Sequence, residues 1–235
     1  MGSSMTAKAR AGTYVGLLCA LGVPMLIPLR ALLWPHMAPH FLLGESIAWG
    51  LTAAVVCILV YWERLPLSTI GLGRPTWKSL WWGIGGALAI RVLVAMVILT
   101  GAWLSGASFA SAFGHDMAVI EKLGSLPLAL VMLLALRAGV MEEILFRGYG
   151  IERLAAVIGH RWSAAMVSLA IFTLAHLGGW DLIYLLIVFP AGLVLTLLYL
   201  WRRDLWANIL AHFLTDASSF VFAYAIAHHL VRARM

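Results

Sequence analysis

The sequence predicts an all-α fold, a polytopic transmembrane helical bundle of about seven to eight membrane helices with a polar intramembrane cavity. Of the 235 residues, 63% are hydrophobic and only 11% are charged, which is far more apolar than a soluble domain. Apolar runs of about 20 residues, long enough to span a bilayer as helices, recur along the chain. Acidic side chains and histidines interrupt some of these runs, and ionisable groups at membrane depth need partners or a cavity.

Three of the predicted spans lie in the N-terminal half. Pro24 and Pro28 are expected to kink the first of them. The third carries Arg91 near its middle, a cation that needs a partner such as Asp216, Glu143 or a backbone carbonyl. The predicted spans are residues 11–33, 45–62 and 79–104, and a short helix is expected around 117–123 within the polar loop 105–125.

Four further spans follow in the C-terminal half. The fourth begins near Leu126 and carries two adjacent glutamates and Arg137, which has the same candidate partners as Arg91. The amphipathic segment after it, residues 148–160, is expected at the membrane interface. Pro190 is expected to kink the sixth span, and the arginine pair that follows this span indicates a tight turn. The fifth, sixth and seventh predicted spans are residues 162–177, 182–201 and 205–228.

Most of the basic residues lie in the loops between the apolar runs. The net charge of +6 therefore indicates loops at the surface of a lipid bilayer, and no nucleic-acid partner is predicted. In a seven-span arrangement these loops fall on one side, which places the N-terminus in the cytoplasm and favours a prokaryotic inner membrane. A single integral membrane domain, residues 1–235, is predicted, with a motif-bearing core at about 126–228.

The fourth run contains two adjacent carboxylates, Glu142 and Glu143. One ionised carboxylate at membrane depth costs at least a few kcal/mol. Arg147 lies four residues after Glu143, so on a helix the two side chains share a face and can pair. Glu142 points in another direction around the helix. We therefore expect Arg147 to neutralise Glu143, and Glu142 to face another group.

Two later runs add polar groups at helical spacing. His176 follows Phe172 by four residues in the fifth span, and Asp216 follows His212 by four residues in the seventh. A carboxylate beside an imidazole fixes its tautomer and raises its basicity, whereas an unpartnered buried His or Asp is costly. We therefore expect the polar groups of three spans to converge in one cavity. The expected set is Glu142, Glu143, Arg147, His176, His212 and Asp216.

Such a cavity suits hydrolysis. A carboxylate can take a proton from water, one His can hold or relay that proton, and a second His can stabilise an oxyanion. Alternatively, Glu142, His176 and His212 could ligate Zn²⁺ and leave one position open for water, although the sequence has no His-Glu-x-x-His helix. A Gly-x-Ser-x-Gly elbow is also missing, which disfavours a serine-type mechanism.

Three motifs together resemble those of the CPBP family, which comprises type II CAAX prenyl proteases and bacteriocin-processing enzymes and is also called the Abi family. The motifs are Glu142-Glu143-x-x-x-Arg147, Phe172-x-x-x-His176 and His212-x-x-x-Asp216. The resemblance implies an all-helical intramembrane endopeptidase, favoured as glutamate-type, that acts on a peptide or lipidated protein at the membrane and requires no cofactor.

The resemblance also implies roles for the residues of the motifs. The implied catalytic residues are Glu142 as the general base that activates water, His176 as a positioning or relay group, and His212 with Asp216 as the oxyanion site. The implied supporting residues are Glu143, Arg147 and Phe172.

Position 216 departs from the pattern of the CAAX enzymes, which have Asn there. An ionised Asp cannot donate a hydrogen bond, so Asp216 is either protonated or orients His212. The departure motivates a second hypothesis, a non-catalytic membrane scaffold or regulator with the family fold. A third hypothesis is a proton-coupled transporter, because buried Glu and His can relay protons.

Overall fold

The computed structural model describes residues 7–26, 41–106, 126–178 and 184–233, and in these ranges the chain is helical and contains no β-strand. In chain order the α-helices are α1 (Ala7–Leu17), α2 (Phe41–Cys57), α3 (Trp77–Ser105), α4 (Leu128–Glu142), α5 (Glu152–Ile158), α6 (Arg161–Ala175), α7 (Leu185–Arg202) and α8 (Leu205–Ala233). π-Helical segments continue α1, α2 and α4 at Leu18–Gly22, Ile58–Trp62 and Glu143–Ile151, and short 3₁₀ helices lie at Leu67–Ile70 and His176–Gly178.

The helical membrane bundle predicted from the sequence is confirmed, but the described residues do not support the predicted count of seven to eight membrane helices. Within the described ranges, four helices are long and apolar enough to cross a membrane: Gly44–Trp62, Trp77–Ser105, Leu185–Arg202 and Leu205–His228. α6 is apolar but has only 15 residues, fewer than the roughly 20 that a span needs. Part of the first predicted span and the short helix expected around 117–123 lie outside the described residues.

α8 packs against both α3 and α4, and small residues allow close contact on each side. A Cβ added to Gly83 of α3 would lie 2.7 Å from the Leu210 side chain. A Cβ added to Gly139 of α4 would lie 3.1 Å from the Ile209 carbonyl oxygen. Glycines at such positions let helix backbones approach in a membrane. The close crossing of α4 and α8 brings the C-terminal end of α4 next to His212.

Turns at one end of the bundle connect α8 to the loop after α2. The Leu205 amide donates to the Gly71 carbonyl at 3.0 Å, and the Trp206 indole donates to the Gly73 carbonyl at 2.7 Å. Arg203, with a left-handed φ of 49°, makes the tight turn that was predicted between α7 and α8. Two of the loops that carry basic residues therefore meet at this end.

Candidate active site

The two adjacent glutamates stand where α4 passes into a π-helical segment. The α-helix ends at Glu142, and from Glu143 onward the backbone hydrogen bonds span five residues instead of four. The Glu143 side chain is fully buried, whereas the Glu142 side chain keeps 22% of its surface exposed. π-Helical insertions in α-helices are frequent at functional sites. Here the change of helix type separates two neighbouring carboxylates into different surroundings.

Glu143 is the centre of a buried hydrogen-bond network. Arg147 donates from Nη1 to Oε1 at 2.8 Å, the pairing that the four-residue spacing predicts. His212 Nδ1 donates to the same oxygen at 2.8 Å, and the Asn208 carboxamide donates to Oε2 at 3.0 Å. All four residues are buried. A buried carboxylate is tolerated only when such donors satisfy it.

Asn208 is a site residue that the three motifs do not include. It precedes His212 by four residues, so the two side chains share one face of α8. That spacing is the sequence signal that could have identified it. Asn208 also donates to the Leu195 carbonyl at 2.8 Å, and it thereby connects α7 and α8 to Glu143.

Phe172 connects the buried network with His176. Its ring centre lies 4.0 Å from Cζ of Arg147, a cation–π contact, and 4.7 Å from the centre of the His176 ring. The Phe172 carbonyl accepts a hydrogen bond from His176 Nδ1 at 2.7 Å. Because a carbonyl can only accept, Nδ1 carries the proton, and Nε2 of a neutral His176 is an acceptor.

Glu142 faces the Nε2 atoms of both histidines. Its Oε2 lies 3.9 Å from His176 Nε2 and 3.8 Å from His212 Nε2. Asp216 Oδ2 lies 3.6 Å from the same nitrogen of His212. These separations are too long for direct hydrogen bonds, and polar groups so spaced suit a bridging water.

The six residues expected to converge do lie in one site, formed by the end of α4, the 3₁₀ helix after α6 and the middle of α8. The ion-pair partner of Arg137 is none of the candidates predicted for it, which were Asp216, Glu143 and backbone carbonyls. Arg137 instead pairs with Glu45 at 3.1 Å, because its side of α4 packs against α2. Arg91 reaches the Thr215 carbonyl, one of the partners expected for it.

Glu142 Oε2 lies slightly further from the two histidine nitrogens than zinc ligand atoms normally lie from one another. Tetrahedral zinc with bonds of about 2.0–2.2 Å places its ligand atoms roughly 3.4 Å from one another. The separations from Glu142 to His176 and His212 are 3.9 and 3.8 Å. Within the described residues, no group of three or more His, Cys, Asp or Glu side chains is placed to hold a metal ion.

The segment that contains all three motifs also matches a known family. Residues 124–218 match the family model described as type II CAAX prenyl endopeptidase Rce1-like. Over this segment the chain is similar to the Rce1-like family. The match confirms the resemblance drawn from the motifs, and the Rce1-like family is a family of CAAX-type intramembrane proteases. No curated protein and no solved structure matches the chain.

Proposed function

We propose that this Rce1-like protein is an intramembrane endopeptidase that hydrolyses CAAX-like, leader or sorting peptides at the membrane with water activated by Glu142. One observation carries the proposal: the partly exposed Glu142 carboxylate faces two histidine nitrogens across a gap that suits a water molecule. Glu143 is unsuited to the role of base because it is fully buried and accepts three hydrogen bonds.

The proposed reaction begins with a water molecule between Glu142 and His176. The water donates one hydrogen bond to the Glu142 carboxylate and the other to His176 Nε2, the acceptor nitrogen of this tautomer. These two bonds direct a lone pair of the water oxygen towards the substrate carbonyl. Glu142 takes one proton from the water as the oxygen bonds to the carbonyl carbon.

His212 stabilises the oxyanion in the proposed mechanism. Its Nδ1 donates to Glu143, and its Nε2 faces both Glu142 and Asp216. We assign protons to both nitrogens because three carboxylates surround the ring, so Nε2–H can donate to the developing oxyanion. When the tetrahedral intermediate collapses, the carbon–nitrogen bond breaks and Glu142 passes its proton to the leaving amine. The products are a new carboxyl terminus and a new amino terminus.

Hydrolysis by the full chain in liposomes tests the proposed function. The probe is a farnesylated peptide that ends in cysteine and three further residues, with leader-type peptides in parallel. We expect release of a short C-terminal peptide, at a rate that treatment with 1,10-phenanthroline leaves unchanged because the mechanism uses no metal.

Each alternative predicts a different result in this assay. A folded protein that cleaves none of the peptides would support the scaffold. Proton flux into the liposomes without cleavage would support the transporter. Activity that is lost on chelation and restored by Zn²⁺ would replace the glutamate-type mechanism with a metal-dependent one.

Asp216→Asn distinguishes a hydrogen-bond donor at position 216 from a carboxylate that orients His212. The carboxamide keeps the shape of the side chain and can donate a hydrogen bond. Because His212 is the main oxyanion donor in our mechanism, we expect kcat/KM to stay within about tenfold of the wild-type value, whereas Asp216→Leu loses about 100-fold. Peptide hydrolysis measures both variants. If the Asn variant were as impaired as the Leu variant, the negative charge of Asp216 would be essential.

A further inference from the structure

Arg202, the last residue of α7, is a cation that forms no ion pair. Within the described ranges it also donates no hydrogen bond, and its Nε is buried without an acceptor. The next residue differs, because Arg203 pairs with Glu152 at 2.7 Å. Asp204 accepts hydrogen bonds from two backbone amides in the first turn of α8. The two acidic residues around the α7–α8 turn therefore have other partners than Arg202.

Two tryptophan rings fix the position of the Arg202 guanidinium. Its Cζ lies 5.4 Å from the ring centre of Trp82 on α3 and 5.7 Å from that of Trp201. The two rings meet edge to face with 4.4 Å between their centres. Aromatic rings attract a guanidinium but accept none of its strong hydrogen bonds. Trp201 is 63% exposed, so this arrangement opens at the surface of the bundle.

A second cation lies on the face of α3 that carries Trp82. Lys78 precedes Trp82 by four residues, so their side chains are neighbours on one side of the helix. Lys78 is exposed, and no carboxylate of the described residues pairs with it. Arg202 and Lys78 therefore place two positive charges next to Trp82.

Both cations lie at the ends of helices that are long and apolar enough to cross a membrane. Lys78 is the second residue of α3, and Arg202 is the last residue of α7. The ends of such spans reach the headgroup region of a bilayer, where tryptophan, lysine and arginine are the usual anchors. An anion at the level of the lipid phosphates is therefore within reach of both side chains.

The same face of α3 is apolar and open towards the membrane centre. Gly85 and Ala89 follow Trp82 at spacings of three and four residues, and both are exposed. A Cβ added to Gly85 would meet no atom within 4 Å. Val92, the next residue of this face, is 60% exposed. The small side chains leave room for a hydrocarbon chain along α3, directly next to the two cations.

We propose that Arg202 and Lys78 bind the phosphate of an anionic phospholipid whose acyl chain lies along Gly85 and Ala89. The guanidinium and the ammonium donate to the phosphate oxygens, and the Trp82 and Trp201 rings hold the guanidinium in place. A lipid without a positive headgroup is preferred, because two cations at the membrane surface attract net negative charge. The site uses none of the residues of the proposed catalytic centre.

Native mass spectrometry of the full chain in detergent tests the proposal. The probes are phosphatidylglycerol and phosphatidylcholine with the same acyl chains. We expect one phosphatidylglycerol molecule to bind about 10- to 30-fold more tightly than phosphatidylcholine, since each basic residue near the surface contributes about fivefold. Arg202→Gln and Lys78→Gln should each lower this preference about fivefold, and Arg202→Lys should retain part of it because the charge stays.

Arg203→Gln is the matched control, because it removes the adjacent arginine, whose charge is already paired with Glu152. We expect it to keep the preference for phosphatidylglycerol. Equal affinity of the wild-type protein for both lipids would overturn the proposal. An Arg203→Gln variant as impaired as Arg202→Gln would also overturn it, because the preference would then come from the general charge of this surface. Lys78 is exposed, so Lys78→Gln tests the site even if Arg202→Gln fails to fold.

Competition with glycerol 3-phosphate distinguishes a lipid from a soluble phosphate ester. We expect no displacement of phosphatidylglycerol at equal concentration, because the acyl chain contributes apolar contact that the free headgroup lacks. Displacement at equal concentration would replace the lipid with a soluble ligand and overturn the proposal. The measurement involves no peptide hydrolysis, so its result stands independently of the proposed function.

Discussion

Glu142→Gln is expected to reduce the rate of peptide hydrolysis by about 10²–10⁴-fold, because the substitution removes the general base. Gln has the same size and stays polar, so the site keeps its shape. The fold should survive, since within the described residues Glu142 accepts no hydrogen bond and its nearest partners, His176 and His212, lie 3.9 and 3.8 Å away. Hydrolysis of the farnesylated peptide by purified protein in liposomes gives kcat and KM separately, and the loss should appear in kcat.

The matched control is Glu45→Gln, which removes another membrane-helix carboxylate that pairs with Arg137 outside the site. This control should leave kcat within about threefold of the wild-type value, since the pair lies outside the site. In cells, a comparison of membrane-protein termini should show new termini with the wild-type chain and none with the Glu142→Gln chain. Undiminished hydrolysis by a folded Glu142→Gln protein would exclude Glu142 as the base.

The sequence was informative about the site wherever two partners stand on one helix. The spacing of Glu143 and Arg147 predicts their ion pair, and the structure contains it. The sequence did not predict individual hydrogen bonds between side chains on different helices. The bond between His212 and Glu143 joins residues 69 positions apart, and it depends on the crossing angle and register of α4 and α8. The partner of Arg137 was missed for the same reason.

The composition of the chain predicts a helical membrane bundle, but it does not give the number of membrane spans. Apolar runs predict membrane helices because a bilayer requires backbone hydrogen bonds to close within each segment. The same runs do not show where α-helix changes to π-helix, since both satisfy the backbone locally. All nine residues of Glu143–Ile151 are buried, so no polar–apolar periodicity distinguishes one helix type from the other in this segment.

Arg147→Met is expected to destabilise the protein by about 3–5 kcal/mol, because the fully buried Glu143 loses its arginine partner and keeps only His212 and Asn208 as donors. Arg147 is 1% exposed and also donates to the Gly192 carbonyl at 3.2 Å. The thermal unfolding midpoint in detergent measures the loss. Arg203→Met provides the contrast, because Arg203 pairs with Glu152 at 2.7 Å while its side chain is 54% exposed, and such pairs contribute about 0–1 kcal/mol.

A double variant distinguishes the cost of the unpaired charge from the contribution of the pair itself. Glu143→Leu combined with Arg147→Met removes both charges, and replacing a buried pair by apolar residues is often neutral or stabilising. Its unfolding midpoint should therefore lie above that of Arg147→Met. Its activity should stay low, because His212 Nδ1 loses the carboxylate to which it donates at 2.8 Å and the imidazole is no longer oriented. Recovery of stability without recovery of hydrolysis would assign Glu143 to the positioning of His212, whereas recovery of both would make the buried pair a structural element only.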